Sequence, residues 1–233
     1  MTPRPAHKRK PPAAADVTVF SSDEYPQGSA EWFGLRLGFP TSSVFAAIMA
    51  DGRDGGESKT RAKLLNQLAG EILSGQPAEA FQNDAMRRGN MMEAEAVEHY
   101  AFTRRVRVER VGFVRRTIHN PLGEDLVVGC SPDGFVGDDG LLEVKTMRPD
   151  LLIELVDKGR FPTEHRAQVH GGLWVTGRKW CDLKVFYSGM PVSPTFRVER
   201  DDHYIAQIIS AVQVFAFDLR RLVERVKAKG SVR

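Results

Sequence analysis

Cysteine is scarce in this chain: Cys130 and Cys181 are the only two. Two thiols cannot build a disulfide framework, a four-thiolate zinc site or a cysteine-bound iron–sulfur cluster, and such sparing use fits a reducing cytoplasm. Long apolar runs are also missing. The longest uncharged apolar stretch, SVFAAIMA, is far short of the roughly 20 residues a membrane span needs, and no apolar signal core follows the basic N-terminus. The expectation is a soluble, cytoplasmic protein with no membrane partner. There is no G-x-x-x-x-G-K-[S/T] loop, so no ATP-driven motor is expected, and neither H-E-x-x-H, paired C-x-x-C nor G-x-S-x-G occurs.

A large charge excess is absent too. The whole-chain net charge is +3, but the acid-free segment MTPRPAHKRKPPAAA carries +4 through Arg4, Lys8, Arg9 and Lys10, which leaves −1 for the rest. Affinity for a polyanion must then come from where charges sit, not from how many there are. Rich in proline and alanine and without apolar period, residues 1–15 read as a disordered basic tail, either a nonspecific phosphate-binding arm or a solvated extension. Residues 16–230 read as one domain, a length at which a mixed α/β or α+β fold buries a sizeable core.

What is present alternates between two periods. SKTRAKLLNQLAGEILSG sets Ala62, Leu65, Ala69, Ile72 and Leu73 at helical spacing and stops at Gly75. Pro40 breaks the preceding segment, and TSSVFAAIM restarts a helix behind a Thr/Ser cap. Residues 83–103 read as a long helix bearing Glu93, Val97 and Tyr100. VRVERVGFV, LVVGCSPDGFV and LLEVKT read as strands, PDLLIELVDKG and TEHRAQVHGGLWVTG as helices, and WCDLKVFYS and TFRVERD as a strand pair. In the last segment Ile205, Ile208, Val212, Phe215, Leu219, Leu222 and Val226 alternate spacings of three and four. That pattern suits a coiled-coil seam, but Ile209, Ala216 and Val223 widen the stripe and favour a helix packed on its own core. The order of elements predicts a central mixed sheet flanked by helices.

One stretch carries chemistry. In GCSPDGFVGDDGLLEVK, a three-residue turn at Asp138, Asp139 and Gly140, with Gly140 left-handed, pairs residue 137 with 141 and 133 with 145. Strand side chains alternate faces, so Asp133, Glu143 and Lys145 share one face while Leu142 and Val144 share the other. Two carboxylates backed by an amine can bind a hard divalent cation, which acidifies water and neutralises charge developing on a phosphate. The plainer alternative is a surface hairpin with a cross-strand ion pair.

SPDG followed by LLEVK resembles the PD-(D/E)XK nuclease motif. Over residues 26–225 the chain is further similar to the lambda exonuclease branch, the YqaJ-type viral recombinases, through WFGLRLGFPTSSV, GRDGGESKTRAKLLNQLAGEILSG, RRGNMMEAEAVEHY, GCSPDGFV, LLEVKT, AQVHGGLWVTGRKWCDLKVFY and VERDD in order. The resemblance implies a PD-(D/E)XK restriction-endonuclease-like core. Asp133, Glu143 and Lys145 match its metal-binding acids and catalytic lysine, the Val144 carbonyl and Glu93 further metal positions, and Gln168 a glutamine beside the nucleophilic water. Arg36, Ser43 and Ser131 match a 5′-phosphate site, which Arg53 would extend; forked guanidinium donors and hydroxyls suit such an anion. His170 stands where the family often has glutamine, and reads as structural. The implied function is a Mg²⁺-dependent 5′→3′ exonuclease, with Mn²⁺ able to substitute. It would act on double-stranded DNA ends as a homotrimeric ring, release 5′ mononucleotides and leave 3′ strands for a single-strand annealing protein in phage-type recombination. A structure-specific endonuclease on the same core and a noncatalytic DNA-end-binding module are the alternatives.

Overall fold

A computed structural model of the protein describes residues 15–52, 58–78, 84–120 and 123–230, for 84–91 the backbone alone. Residues 1–14 of the basic tail and Arg53 lie outside the described residues. In chain order the elements are β1 (Ala15–Ser21), α1 (Ala30–Leu35), α2 (Phe45–Ile48), α3 (Lys59–Ser74), α4 (Asp84–Arg104), β2 (Val108–Glu109), β3 (Val111–Ile118), β4 (Leu126–Cys130), β5 (Gly134–Val136), β6 (Gly140–Thr146), α5 (Pro149–Lys158), α6 (Arg166–Thr176), β7 (Trp180–Phe186), β8 (Thr195–Glu199) and α7 (Asp202–Gly230). Ala15, read from sequence as the end of the tail, instead opens a strand.

The expected mixed sheet is there, five strands in the order β2-β5-β6-β7-β8, with β6 and β7 parallel and the other pairs antiparallel. A second, antiparallel sheet of three strands, β1-β3-β4, was not anticipated. The segment read as one strand, VRVERVGFV, divides at Arg110: β2 belongs to the large sheet and β3 to the small one. LVVGCSPDGFV divides likewise, with Ser131, Pro132 and Asp133 as the crossing between β4 and β5. Both chains therefore change sheets side by side, and the polar residues of interest sit at that crossing.

The large sheet buries both faces. Leu141, Cys181 and Leu183 face α6 and α7 in the larger core, together with Phe45, Leu173 and Phe215. Leu142 and Val144 turn the other way, against Ala96, Val97 and Tyr100 of α4. Each such fully buried aliphatic side chain contributes about 1.5–3 kcal/mol relative to exposure. Along α7, Ile205, Ile208, Val212, Phe215, Ala216, Leu219 and Val223 are buried, and the helix packs on α3, α6 and α2. The wide stripe thus serves the domain's own core.

Helix α3 has the limits its sequence predicts: the Ser58 hydroxyl accepts from the Arg61 N–H at the start, and left-handed Gly75 ends it. Its buried face is rotated from the expected one. Leu64, Leu68, Ala69 and Glu71 are inside, whereas Ile72 and Leu73 are exposed. The polar Glu71 takes an inner position because it accepts from the Gly38 and Ala78 backbone N–H groups and from Gln67, so a hydrophobic count misplaces the stripe. No helix among the described residues is long and apolar enough to cross a membrane.

Candidate active site

The hairpin joining β5 to β6 pairs Val136 with Gly140, Phe135 with Leu141 and Gly134 with Leu142. This corrects the predicted register by two residues: the turn is Gly137–Asp138–Asp139, and Gly137 takes the left-handed conformation at φ 55°. Gly140 is required for another reason, since a Cβ there would lie 2.2 Å from the Trp180 ring. A shift of two preserves the faces, because side chains repeat every second residue. The ladder extends one bond further, from Asp133 N–H to the Leu142 carbonyl at 3.1 Å, so Asp133 and Glu143 stand opposite each other.

Five of the predicted side chains meet here. The Lys145 Nζ donates to Glu143 Oε1 at 2.8 Å, and Gln168 Nε2, from α6, donates to the same oxygen at 2.5 Å. Asp133 Oδ2 accepts from the Val144 N–H at 2.5 Å. Glu93 comes from α4 and pairs with Arg110 at 2.9 Å. Gln168 reaches β6 because α6 lies close: a Cβ on Gly172 would sit 3.3 Å from Leu141, and one on Gly171 would strike the Phe45 ring at 2.4 Å. Gly172 therefore permits the approach to the sheet, and Gly171 admits the α2 segment.

Asp133 is 7% exposed. Burial pushes its carboxyl well above the usual carboxylate range, and the negative charges of Glu143 and Glu93 push it further, against the Val144 N–H and Lys145. At Lys145 burial disfavours the ammonium, but the Glu143 charge and hydrogen bond, with Asp133 and Glu93, outweigh it and raise its pKa. His165, not singled out in the sequence, is held below the ordinary imidazole value by burial and by Lys145. Among the described residues three carboxylates crowd one place, with Lys145 beside them.

That crowding is the chemistry of a hard-cation site. Neighbouring carboxylates whose charges push the Asp133 carboxyl up are relieved by a divalent ion, and Mg²⁺ takes one or two carboxylates while keeping waters. Among the described residues no three His, Cys, Asp or Glu side chains are already gathered as a cage. Each acid instead holds a donor: Glu143 has Lys145 and Gln168, Asp133 the Val144 N–H, and Glu93 Arg110. The residues fit a cation by type, charge and proximity.

Two residues before Asp133 a second cluster begins. Ser131 Oγ accepts from Arg36 Nη1 at 3.0 Å and from Trp32 Nε1 at 3.0 Å. Arg36 Nη2 reaches Thr41 Oγ1 at 3.5 Å, which shares a 3.0 Å hydrogen bond with Ser43 Oγ. The guanidinium lies 4.1 Å over the Trp32 ring, one helical turn earlier. The Gly129 N–H donates to the Pro40 carbonyl at 3.2 Å, and Thr41 bridges Gly129, so this turn is fastened to β4. Arg36, Ser43 and Ser131 are thus brought together as predicted; Trp32 and Thr41, each within a turn of a predicted residue, were missed. Burial pulls the Arg36 pKa down to about 10, although Cys130 and Glu71 act to raise it. It remains a cation at neutral pH whose hydrogen-bond partners are hydroxyls, and such a group favours an anion.

His170 lies outside both clusters. It is buried with its ring edge-on to Tyr204, centroids 5.3 Å apart, and Nδ1 has no hydrogen-bond partner among the described residues. Burial, with Arg166 next, holds its pKa below the ordinary value.

Residues 31–179 match the model of the YqaJ-like viral recombinase domain. An alkaline exonuclease from Laribacter hongkongensis is 32% identical, with a TM-score of 0.74 over 87% of this chain and 98% of that one. The same exonuclease in complex with dAMP gives 0.75 over the same shares. A phage-related exonuclease from Haemophilus somnus 129PT, 13% identical, shares the fold at a TM-score of 0.58, over 83% of this chain and 99% of that one. No curated protein matches the chain.

Proposed function

This chain belongs to the YqaJ-like viral recombinase domain family, and from that premise we propose that it is a DNA exonuclease that engages a 5′ end and needs a divalent cation, Mg²⁺ or Mn²⁺. The observation that carries the reading is the placement of Arg36. A partly buried guanidinium, whose side-chain partners among the described residues are the Ser131 and Thr41 hydroxyls and the Trp32 ring, is joined through Ser131 to a carboxylate cluster two residues further on. A terminal 5′ phosphate satisfies the guanidinium, and the phosphodiester that follows then falls towards Asp133 and Glu143. The kinship with an exonuclease whose structure is known with dAMP, a mononucleotide, agrees with stepwise release of nucleotides.

On this reading Asp133, Glu143, Glu93 and the Val144 carbonyl hold the cation, which supplies Lewis acidity and charge neutralisation when bound. Gln168 and Lys145 fix the Glu143 carboxylate, and Lys145 places a positive charge where the phosphate becomes more negative. Arg36, Ser131, Thr41 and Ser43 set how far the strand enters, and so which bond is cut. A ring of three copies around the duplex and a single-strand annealing partner for the 3′ strand complete the proposal, in a cytoplasmic setting. Light scattering that finds only monomer at micromolar concentration removes the ring.

The test is linear duplex labelled at either end, with and without a 5′ phosphate, incubated with Mg²⁺ or with a chelator, beside covalently closed circles. Nucleotide release from the 5′-phosphorylated end, abolished by the chelator, is expected. Cleavage of closed circles would overturn the exonuclease assignment in favour of an endonuclease, and release from the 3′ end would overturn the polarity.

A further inference from the structure

The mouth of the acidic cluster carries a cation that the proposed reaction has not used. Arg110 sits at the crossing where β2 of the large sheet gives way to β3 of the small one. Its backbone carbonyl accepts from the Ser22 hydroxyl at 3.3 Å, so the crossing is tied to the end of β1. Its Nη2 donates to Glu93 Oε1 at 2.9 Å, and among the described residues Glu93 is its one carboxylate partner. The Arg110 side chain is 42% exposed and that of Glu93 25%, so a polyanion arriving from solvent can reach the guanidinium. Glu93 in turn lies within electrostatic reach of Asp133 and Lys145. The pair thus joins the site to its outer rim.

We propose that Arg110 is a latch on Glu93 that is released to a substrate phosphate when the cluster binds its divalent cation. This inference rests on reading Glu93 as one of the cation-binding acids. In the cation-loaded state, where all three acids are ionised, Asp133, Glu143 and Glu93 against Lys145 and Arg110 leave one net negative charge before the ion is counted. A divalent ion turns this into one net positive charge, which complements a single phosphodiester. Without Arg110 the loaded cluster would be neutral. The guanidinium therefore does two things in sequence: it neutralises Glu93 while no cation is bound, and it offers its forked donors to a phosphate oxygen once the carboxylate has turned inward. Cation binding and strand binding reinforce each other, since each removes one competitor of the other.

The two roles have opposite signatures, and that makes the test specific. Mn²⁺ is titrated calorimetrically into the full-length protein without DNA, for the wild type and for Arg110→Ala, Arg110→Lys and Glu93→Gln. Arg110→Ala is expected to bind Mn²⁺ about two- to fivefold tighter, the range that loss of one partly exposed ion pair allows. In the Glu93→Gln background the same substitution should change nothing. Binding of a 5′-phosphorylated duplex in Ca²⁺, followed by fluorescence anisotropy across a KCl series, should weaken in Arg110→Ala, and its logarithmic salt slope should fall by about one. Arg110→Lys should recover the slope but not the full affinity. Arg107→Ala, which removes an exposed guanidinium nearby, controls for general loss of positive charge.

Unchanged or weaker Mn²⁺ binding by a natively folded Arg110→Ala overturns the latch, and an unchanged salt slope overturns the phosphate contact. A wild type that binds no Mn²⁺ refutes instead the cation reading on which the inference rests. Should Arg110→Ala fail to fold, Arg110→Lys still decides, since a rigid structural role predicts losses in both titrations.

Discussion

Two aspartates are buried against the same five-stranded sheet, and their carboxyl groups are driven in opposite directions. Asp182, on β7, faces α4 and accepts from the Tyr100 hydroxyl at 2.7 Å and from both Nε and Nη2 of Arg197, which stacks 3.6 Å over Trp180. Burial alone would raise its pKa, but Arg197 and Tyr100 outweigh burial and lower it. Beside it Lys184 donates to the Ser193 carbonyl at 2.7 Å and is pushed down to about 8, first by burial and then by Arg104. On the opposite face Asp133 is crowded by Glu143 and Glu93 and is raised. A carboxylate that has been given its cation by the fold is finished structure. One surrounded by further carboxylates remains short of positive charge, a shortage that a bound cation would relieve.

The widest separation should appear in activity. Lys145→Ala removes the one amine within the acidic cluster and is expected to lower the rate of linear-duplex degradation about 10²–10³-fold, the scale for losing one preorganised charge stabiliser. Asp133→Asn should fall at least as far. Single-turnover kinetics on 5′-phosphorylated duplex measures both. Asp182→Asn, on the finished face, should retain activity in proportion to the protein that stays folded. Degradation by Lys145→Ala at the wild-type rate would erase the functional half of the comparison.

Stability should reverse the order. Asp182→Asn removes the charge and turns one of the two acceptor oxygens used by Tyr100 and Arg197 into an N–H donor, and should cost about 2–3 kcal/mol in urea unfolding, the scale for leaving a buried hydrogen-bonding group unsatisfied. Asp133→Asn relieves a crowded acid and should leave the unfolding free energy level or raise it. Equal losses at the two sites would mean that both clusters are structural. Added Mg²⁺ sharpens the contrast: at ten times its dissociation constant it should stabilise the wild type by about 1.4 kcal/mol. Asp182→Asn should gain the same increment and Asp133→Asn little of it, as read from thermal denaturation with and without chelator.

The acidic face was legible in sequence because alternation fixes faces even when register slips. Asp133, Glu143 and Lys145 could be set together from SPDG and LLEVK although the turn glycine was misassigned, since Gly137 and Gly140 offer the same letter for two purposes. One supplies a left-handed turn and the other leaves room for Trp180. The finished face was not legible: Asp182 and Lys184 lie within WCDLKVFYS, where nothing local announces that Tyr100 and Arg197 will arrive from 82 and 15 residues away. The three-stranded sheet was missed for a related reason. Its edge strand β1 is almost wholly exposed and lacks a buried stripe, and β2 and β3 read as one strand because the bend at Arg110 is set by tertiary pairing. Trp32 and Thr41 carried a signal that could have been used, being one turn from Arg36 and two residues from Ser43.

The three-stranded sheet, with its exposed edge strand, supplies a third arrangement of aspartate and cation, and the smallest expected effect. At one end of that sheet His119, just past the central strand, links the two edge strands, with Nε2 2.9 Å from Asp16 on β1 and Nδ1 2.8 Å from Asp125 before β4. The Asp16 hydrogen bond first, and Asp125 next, raise the imidazole above its ordinary value, while the Asn120 N–H and then His119 hold Asp125 below the usual carboxylate range. For a raised histidine the stabilisation is complete below the unfolded-state pKa and is lost as pH rises through the higher folded-state one. The clasp on β1 should therefore loosen as the solution passes from about pH 5.5 to mild alkalinity. Amide exchange of residues 16–21, corrected for its intrinsic pH dependence, should accelerate over that interval in the wild type and not in His119→Gln. If β1 exchanges identically in both, the edge strand is held by its pairing with β3 alone, and an exposed aspartate–histidine pair contributes nothing that burial does not first amplify.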